Sequence, residues 1–114
     1  VDMDRPYLTS NGELSSKWRW RDVPDGRYWE PSYVNVSRKL GDAMRRNKDL
    51  KVLVASGYYD LICPFFDAEY TFARNGILKE RVTLTYYEGG HMMYVHEPDF
   101  VKLAGDIRKF LTTK

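Results

Sequence analysis

Between Ser32 and Asn47 the apolar positions Tyr33, Val36, Leu40, Ala43 and Met44 recur on one helical face. Arg38, Lys39, Asp42 and Arg45 fall elsewhere, so the spacing predicts an amphipathic helix. Val52-Leu53-Val54-Ala55 is then a short unbroken apolar run ended by Gly57, the pattern of a parallel strand covered on both faces. Pro64 is placed to start a second helix, with Phe65, Ala68, Phe72 and Ala73 facing inward and Gly76 closing it. Arg81 to Tyr87 reads as a second strand. From Pro98 to Leu111 the positions Phe100, Leu103, Ala104, Ile107, Phe110 and Leu111 return at helical spacing and predict a closing helix. The order helix, strand, helix, strand, helix places the chain in the α/β class. It implies parallel strands joined by a right-handed crossover, with the loops after both strands at the carboxyl edge of the sheet.

Residues 1–30 break this pattern. Pro6 and Pro24, followed by Pro31, punctuate a stretch with no sustained period of either 2 or 3.6, which reads as an irregular segment lying over a core. Its aromatic residues Trp18, Trp20, Tyr28 and Trp29 would be a liability in water and are expected to pack against the following helix or against further sheet. The chain therefore divides into an aromatic-rich segment, 1–30, and an α/β portion, 31–114.

A chain of 114 residues suffices for one domain with a modest core. Its formal charge of +2, from 18 basic and 16 acidic residues, provides no field that would favour nucleic acid or an anionic membrane. The run Arg45-Arg46-Asn47-Lys48 is most simply a solvated helix end, where positive charge suits the helix dipole. No apolar stretch is long enough to cross a bilayer, and Val1 does not begin a signal peptide. Cys63, the single cysteine, has no internal disulfide partner.

The chemistry lies at the two strand ends. Gly57-Tyr58-Tyr59-Asp60 delivers an acid just past the first strand, and Gly89-Gly90-His91 delivers a histidine just past the second. An imidazole titrates near neutrality and can take a proton from a hydroxyl and return it to a leaving group. A carboxylate on its other nitrogen would fix the tautomer and stabilise the imidazolium. In α/β hydrolases the order along the chain is Ser, Asp, His, each after a strand.

The blocks Gly57-Tyr58-Tyr59-Asp60-Leu61-Ile62-Cys63-Pro64 and Gly90-His91-Met92-Met93 resemble the C-terminal part of a serine carboxypeptidase, particularly its bacterial members. The resemblance extends to the segment from about Trp18 to Lys51 and to the closing helix, and so covers nearly the whole chain. It implies the C-terminal portion of an α/β-hydrolase fold, with Asp60 and His91 as two members of a catalytic triad. It further implies that Met92 and Cys63 lie by the pocket for the substrate residue on the leaving side. Release of C-terminal residues from peptides, and a secreted or periplasmic location for the parent protein, are likewise implied by the resemblance. The departure is the nucleophile: none of Ser10, Ser15, Ser16, Ser32, Ser37 and Ser56 sits in a Gly-x-Ser-x-Gly elbow. A complete α/β hydrolase also needs roughly twice this length. The chain is accordingly expected to be a piece of an enzyme whose serine lies upstream, inactive on its own, with peptide substrates and the missing N-terminal part as partners. Self-association through an exposed sheet is a further expectation.

Rival readings follow from the same residues. His91 can be a turn histidine, and Asp60 a cap for the turn at Cys63-Pro64. Cys63, set between Ile62 and Pro64, lacks the glycine-flanked turn of an exposed nucleophile. His91 and His96, with Glu88, Glu97 or Asp99, would be a poor metal set because a five-residue step does not stack two ligands on a helix face. No metal and no cofactor are expected. Met93, Phe65 and Phe66 read as core or pocket wall, and Glu13, Glu30, Glu69 and Glu80 as surface charges. Two alternatives to hydrolysis remain. One is an acyltransferase on the same scaffold; the other is a noncatalytic interaction domain that uses the aromatic residues as contact anchors.

Overall fold

The structure, a computed structural model, describes residues 4, 6, 8–18, 35–74 and 76–113. The chain forms two compact units, Val1–Asn35 and Val36–Lys114. In the first unit a short helix, α1 (Gly12–Lys17), appears where the sequence reads as irregular. Local bonds account for it. Asn11 Oδ1 accepts the Leu14 N–H at 2.9 Å as an N-cap, and Lys17 pairs with Glu13 one turn back at 2.5 Å. The helix buries no residue, so no apolar stripe announces it. Trp18, expected to pack, is 57% exposed; Trp20, Tyr28 and Trp29 lie outside the described residues.

The second unit is mixed α/β. It runs α2 (Ser37–Arg46), β1 (Val52–Gly57), α3 (Phe65–Phe72), β2 (Val82–Tyr87) and α4 (Glu97–Thr112), with single 3-10 turns at Lys79–Arg81 and Met93–Val95. The strands pair in parallel, from Val52 opposite Val82 to Gly57 opposite Tyr87. They end level with one another, which brings the loops after Gly57 and Tyr87 to the same edge. Residues 32–34 of the predicted first helix lie outside the described residues. Gly76, with φ 70°, turns the chain four residues beyond the end of α3 and not at its cap.

The core is small: Met44 and Tyr87 are essentially inaccessible, with Ile77 and Met93 beside them among the buried apolar residues. Polar ties carry much of the docking between elements. Arg81 Nη1 donates to the Met44 carbonyl at 3.0 Å, joining the end of α2 to the start of β2. The Tyr86 hydroxyl donates to Glu69 Oε1 at 2.6 Å, joining β2 to α3, so Glu69 is a half-buried acceptor and not the surface charge expected. The Tyr87 hydroxyl donates to Asp106 Oδ2 at 2.9 Å, joining β2 to α4, and Lys102 Nζ stands 4.3 Å over the Tyr87 ring.

The inward faces differ from those predicted. In α2 the buried stripe is Ser37, Gly41 and Met44, while Val36 and Ala43 are exposed. Ala73 is exposed, as are Phe100, Ala104, Ile107 and Leu111 of α4; Leu103 and Phe110 are half-buried. The strands are not covered on both faces: Val52 to Ala55 are half-buried, and Thr83 and Leu84 are exposed. A two-stranded sheet has an open edge on each side.

Candidate active site

The loops after β1 and β2 are stitched together by their backbones. Tyr58 N–H donates to the Tyr87 carbonyl at 2.8 Å, and Tyr59 N–H donates to the Gly89 carbonyl at 3.2 Å. Glycines permit this closeness. A Cβ on Gly57 would overlap the carbonyl oxygens of Gly89 and Gly90, both backbone atoms with no freedom to swing aside. A Cβ on Gly89 would lie 2.9 Å from Met93 Cα and 3.1 Å from Asp99 Oδ2. Neither residue has a positive φ; Gly76 is the glycine that does among those described. The double glycine before His91 thus serves close approach, not a left-handed turn.

On this frame Asp60 and His91 meet. Asp60 Oδ2 lies 3.0 Å from His91 Nδ1, with the carboxylate side chain 6% exposed and the imidazole 55% exposed. A carboxylate only accepts hydrogen bonds, so Nδ1 carries the proton in the neutral ring. Asp60 Oδ1 accepts the amide N–H groups of Ile62 and Cys63, each at 2.8 Å. The capping and pairing roles weighed for Asp60 are therefore both filled, by different oxygens. The Cys63 amide above all, and then the imidazole and the Ile62 amide, hold the Asp60 carboxyl below its ordinary range against the opposing effect of burial. Among the described residues, Asp60 is the hydrogen-bonding partner of His91, and Nε2 has none.

Cys63 and Met92 are both exposed beside these two residues in the chain. Of the three residues read as core or pocket wall, Met93 is buried, Phe65 half-buried and Phe66 67% exposed. Phe65 belongs to an aromatic cluster: Tyr58 stacks on Tyr86 at 5.5 Å, and Phe65 meets Tyr58 edge-on at 5.5 Å. The hydrogen bond to Glu69 and then desolvation push the Tyr86 phenol up to about 12. Potential ligand atoms of Asp60, Cys63 and His91 lie within 4.8 Å of one another, the group that could hold a metal among the described residues. Asp60 Oδ1 accepts two amides and Oδ2 meets His91, so a cation here would share the carboxylate with the bonds that fix the histidine and the turn. A groove of about 520 Å³, lined by Lys51, Leu53, Arg81, Thr83 and Phe110 among others, opens elsewhere, by the starts of the strands, and contains neither Asp60 nor His91. A candidate site is better located by the paired side chains than by that concavity.

His96 and Asp99 form a second acid–histidine pair, which the sequence alone suggests only as a poor metal set. His96 Nδ1 donates to Asp99 Oδ2 at 3.0 Å, and Asp99 is 4% exposed. The same carboxylate accepts the backbone N–H of Glu88 at 3.2 Å and of Gly89 at 2.7 Å. Burial pushes the Asp99 carboxyl up, but the bonds from His96 and the two amides outweigh it and leave the group below its ordinary range. The available signal was an aspartate in the first turn of a proline-initiated helix, three residues after a histidine. No family model, curated protein or solved structure matches the chain.

Proposed function

We propose that this chain is the acid–histidine portion of a serine carboxypeptidase-like α/β hydrolase, acting with a serine nucleophile and oxyanion donors supplied by a segment outside this sequence. The observation that carries the reading is the Asp60–His91 pair: a buried carboxylate, itself fixed by two amides, holding Nδ1 of an exposed imidazole. In the reaction His91 Nε2 takes the proton from the serine hydroxyl as its oxygen attacks the scissile carbonyl. It then passes that proton to the leaving amine as the C–N bond breaks, giving an acyl enzyme. Water, deprotonated by the same nitrogen, releases the acid and regenerates the serine. Asp60 keeps Nε2 unprotonated in the resting tautomer and stabilises the imidazolium formed in each step. Preference for a substrate's C-terminal residue, and the roles of Met92 and Cys63 beside the leaving-side pocket, rest on the resemblance of the two motif blocks. The test is peptide hydrolysis by the serine-bearing protein. Free-carboxylate peptides should be shortened from the C-terminus, and His91→Ala should abolish the activity. Undiminished hydrolysis in His91→Ala would overturn the proposal.

One observation favours a different reading, a noncatalytic interaction surface. Tyr59, Leu61, Ile62, Met92 and Val95, in the same two loops, are half or more exposed, and Leu61 reaches 90%. Apolar residues in that number around one edge fit a surface that another polypeptide covers. A chain that binds a partner equally well with Ala at positions 60 and 91 would favour this alternative.

A further inference from the structure

The bonds of Asp99 run away from its own helix. As the third residue of α4 its carboxylate would ordinarily serve the orphan amides of that helix's first turn. Instead it accepts from Glu88 and Gly89 in the loop before His91, and from His96 at the helix start. Gly89 in turn accepts the Tyr59 N–H through its carbonyl, so the hydrogen bonds run without a break from α4 through Gly89 to the residue preceding Asp60. The tightness of the turn leaves no room for a side chain on Gly89, whose Cβ would lie 3.1 Å from Asp99 Oδ2.

From this geometry we infer that Asp99 is a positioning residue, which sets the His91 turn at the height where Nδ1 meets Asp60. Its functional meaning rests on the hydrolase reading above. A carboxylate suits the task because three donors converge on its two oxygens and a group with only acceptors leaves none of them opposed. An asparagine of the same shape would present an NH₂ to at least one of them. His96 closes the set and fixes the rotamer of Asp99, without touching the reacting atoms.

The test uses the chain as it exists, with ¹⁵N-labelled histidine. Two readouts are followed: the δ and ε nitrogen shifts of neutral His91, and amide exchange at Glu88 and Gly89. The wild type should show His91 with its proton held on Nδ1. Asp99→Asn should move it toward the mixture of tautomers found in free imidazole and speed exchange at Glu88 and Gly89 by about ten- to a hundredfold. Asp99→Glu, which restores an acceptor-only group, should recover the Nδ1 proton. Asp60→Asn should lose the tautomer while leaving exchange at Glu88 and Gly89 unchanged. Wild-type His91 shifts in Asp99→Asn would overturn the inference. If that variant does not fold, the wild type decides, because unprotected Glu88 and Gly89 amides would overturn the inference equally. None of these readouts needs a nucleophile. Absence of hydrolysis would therefore sink the hydrolase reading and leave the Asp99 result standing.

Discussion

Asp60 faces two ways: its Oδ2 meets His91 Nδ1 at 3.0 Å, while its Oδ1 binds the amides of Ile62 and Cys63. Asp60→Asn keeps the shape of the side chain but turns an amide donor either on His91 or on the N–H groups of Ile62 and Cys63. In the serine-bearing protein the account predicts a fall in kcat of about 10³- to 10⁴-fold with the fold retained. Steady-state hydrolysis alongside circular dichroism checks this, and a loss below about tenfold would remove Asp60 from the orienting role.

Acid should unfold the chain through carboxylates that are hydrogen-bonded in the folded state. Asp60, Asp99 and Asp106 are each held below the ordinary carboxyl range, Asp106 chiefly by Lys102 and then Tyr87. A group depressed in the folded state contributes stability that is complete above its unfolded pKa, about 4, and is lost as pH falls through the lower folded value. The urea midpoint should therefore be level from about pH 7 to 5 as far as these groups decide it, then drop steeply below about pH 4. Asp106→Asn should flatten that drop, and an equally steep drop in the variant would contradict the assignment.

Gly57→Ala should be costly for a reason that involves no core residue. Its methyl group meets two backbone carbonyls of the His91 turn, so one of the loops must move. Overpacking of this kind costs about 1–3 kcal/mol, readable as a shift in the denaturation midpoint. The displacement should also lengthen the Asp60–His91 contact, and loss of the Nδ1 proton signal of His91 would report it.

Burial separates two apolar residues of similar appearance in sequence, Met44 within α2 and Val36 at its N-cap. Met44 is fully buried and Val36 is 61% exposed. Met44→Ala should destabilise by about 2–5 kcal/mol, and Val36→Ala by no more than about 0.5 kcal/mol. Equal effects in thermal melts would contradict the position of α2.

The Tyr86 phenol, raised to about 12 by Glu69, gives a spectroscopic check on α3 packing. Glu69→Gln should return its ionisation toward the ordinary value of about 10 in an absorbance titration. An unchanged titration would separate α3 from β2.

The sequence made the elements of the second unit legible because strong local signals mark them. Gly57 ends one strand, Pro64 and Pro98 stand at helix starts, and the apolar runs have a clear period. The Asp60–His91 pair was legible because parallel strands that end in register deliver their loops to one edge. Other features were not. The helix α1 rests on a cap and an ion pair, and it has no apolar stripe to reveal it. Asp99 lay hidden because its partners are mainly backbone amides, which any residue possesses, so no pattern of side chains points to them. The inward faces of α2 and α4 were misread for a related reason. Periodicity names a stripe, but which part of it is covered depends on neighbours that two strands alone do not provide.

Treating the native preparation with a fluorophosphonate and weighing the labelled polypeptide would show whether His91 serves a serine nucleophile. One label per protein is expected, on the serine of a Gly-x-Ser-x-Gly elbow that continues or accompanies this chain, with labelling lost in His91→Ala. A folded, unlabelled 13.4 kDa chain with no such companion, or labelling that persists undiminished in His91→Ala, would contradict it.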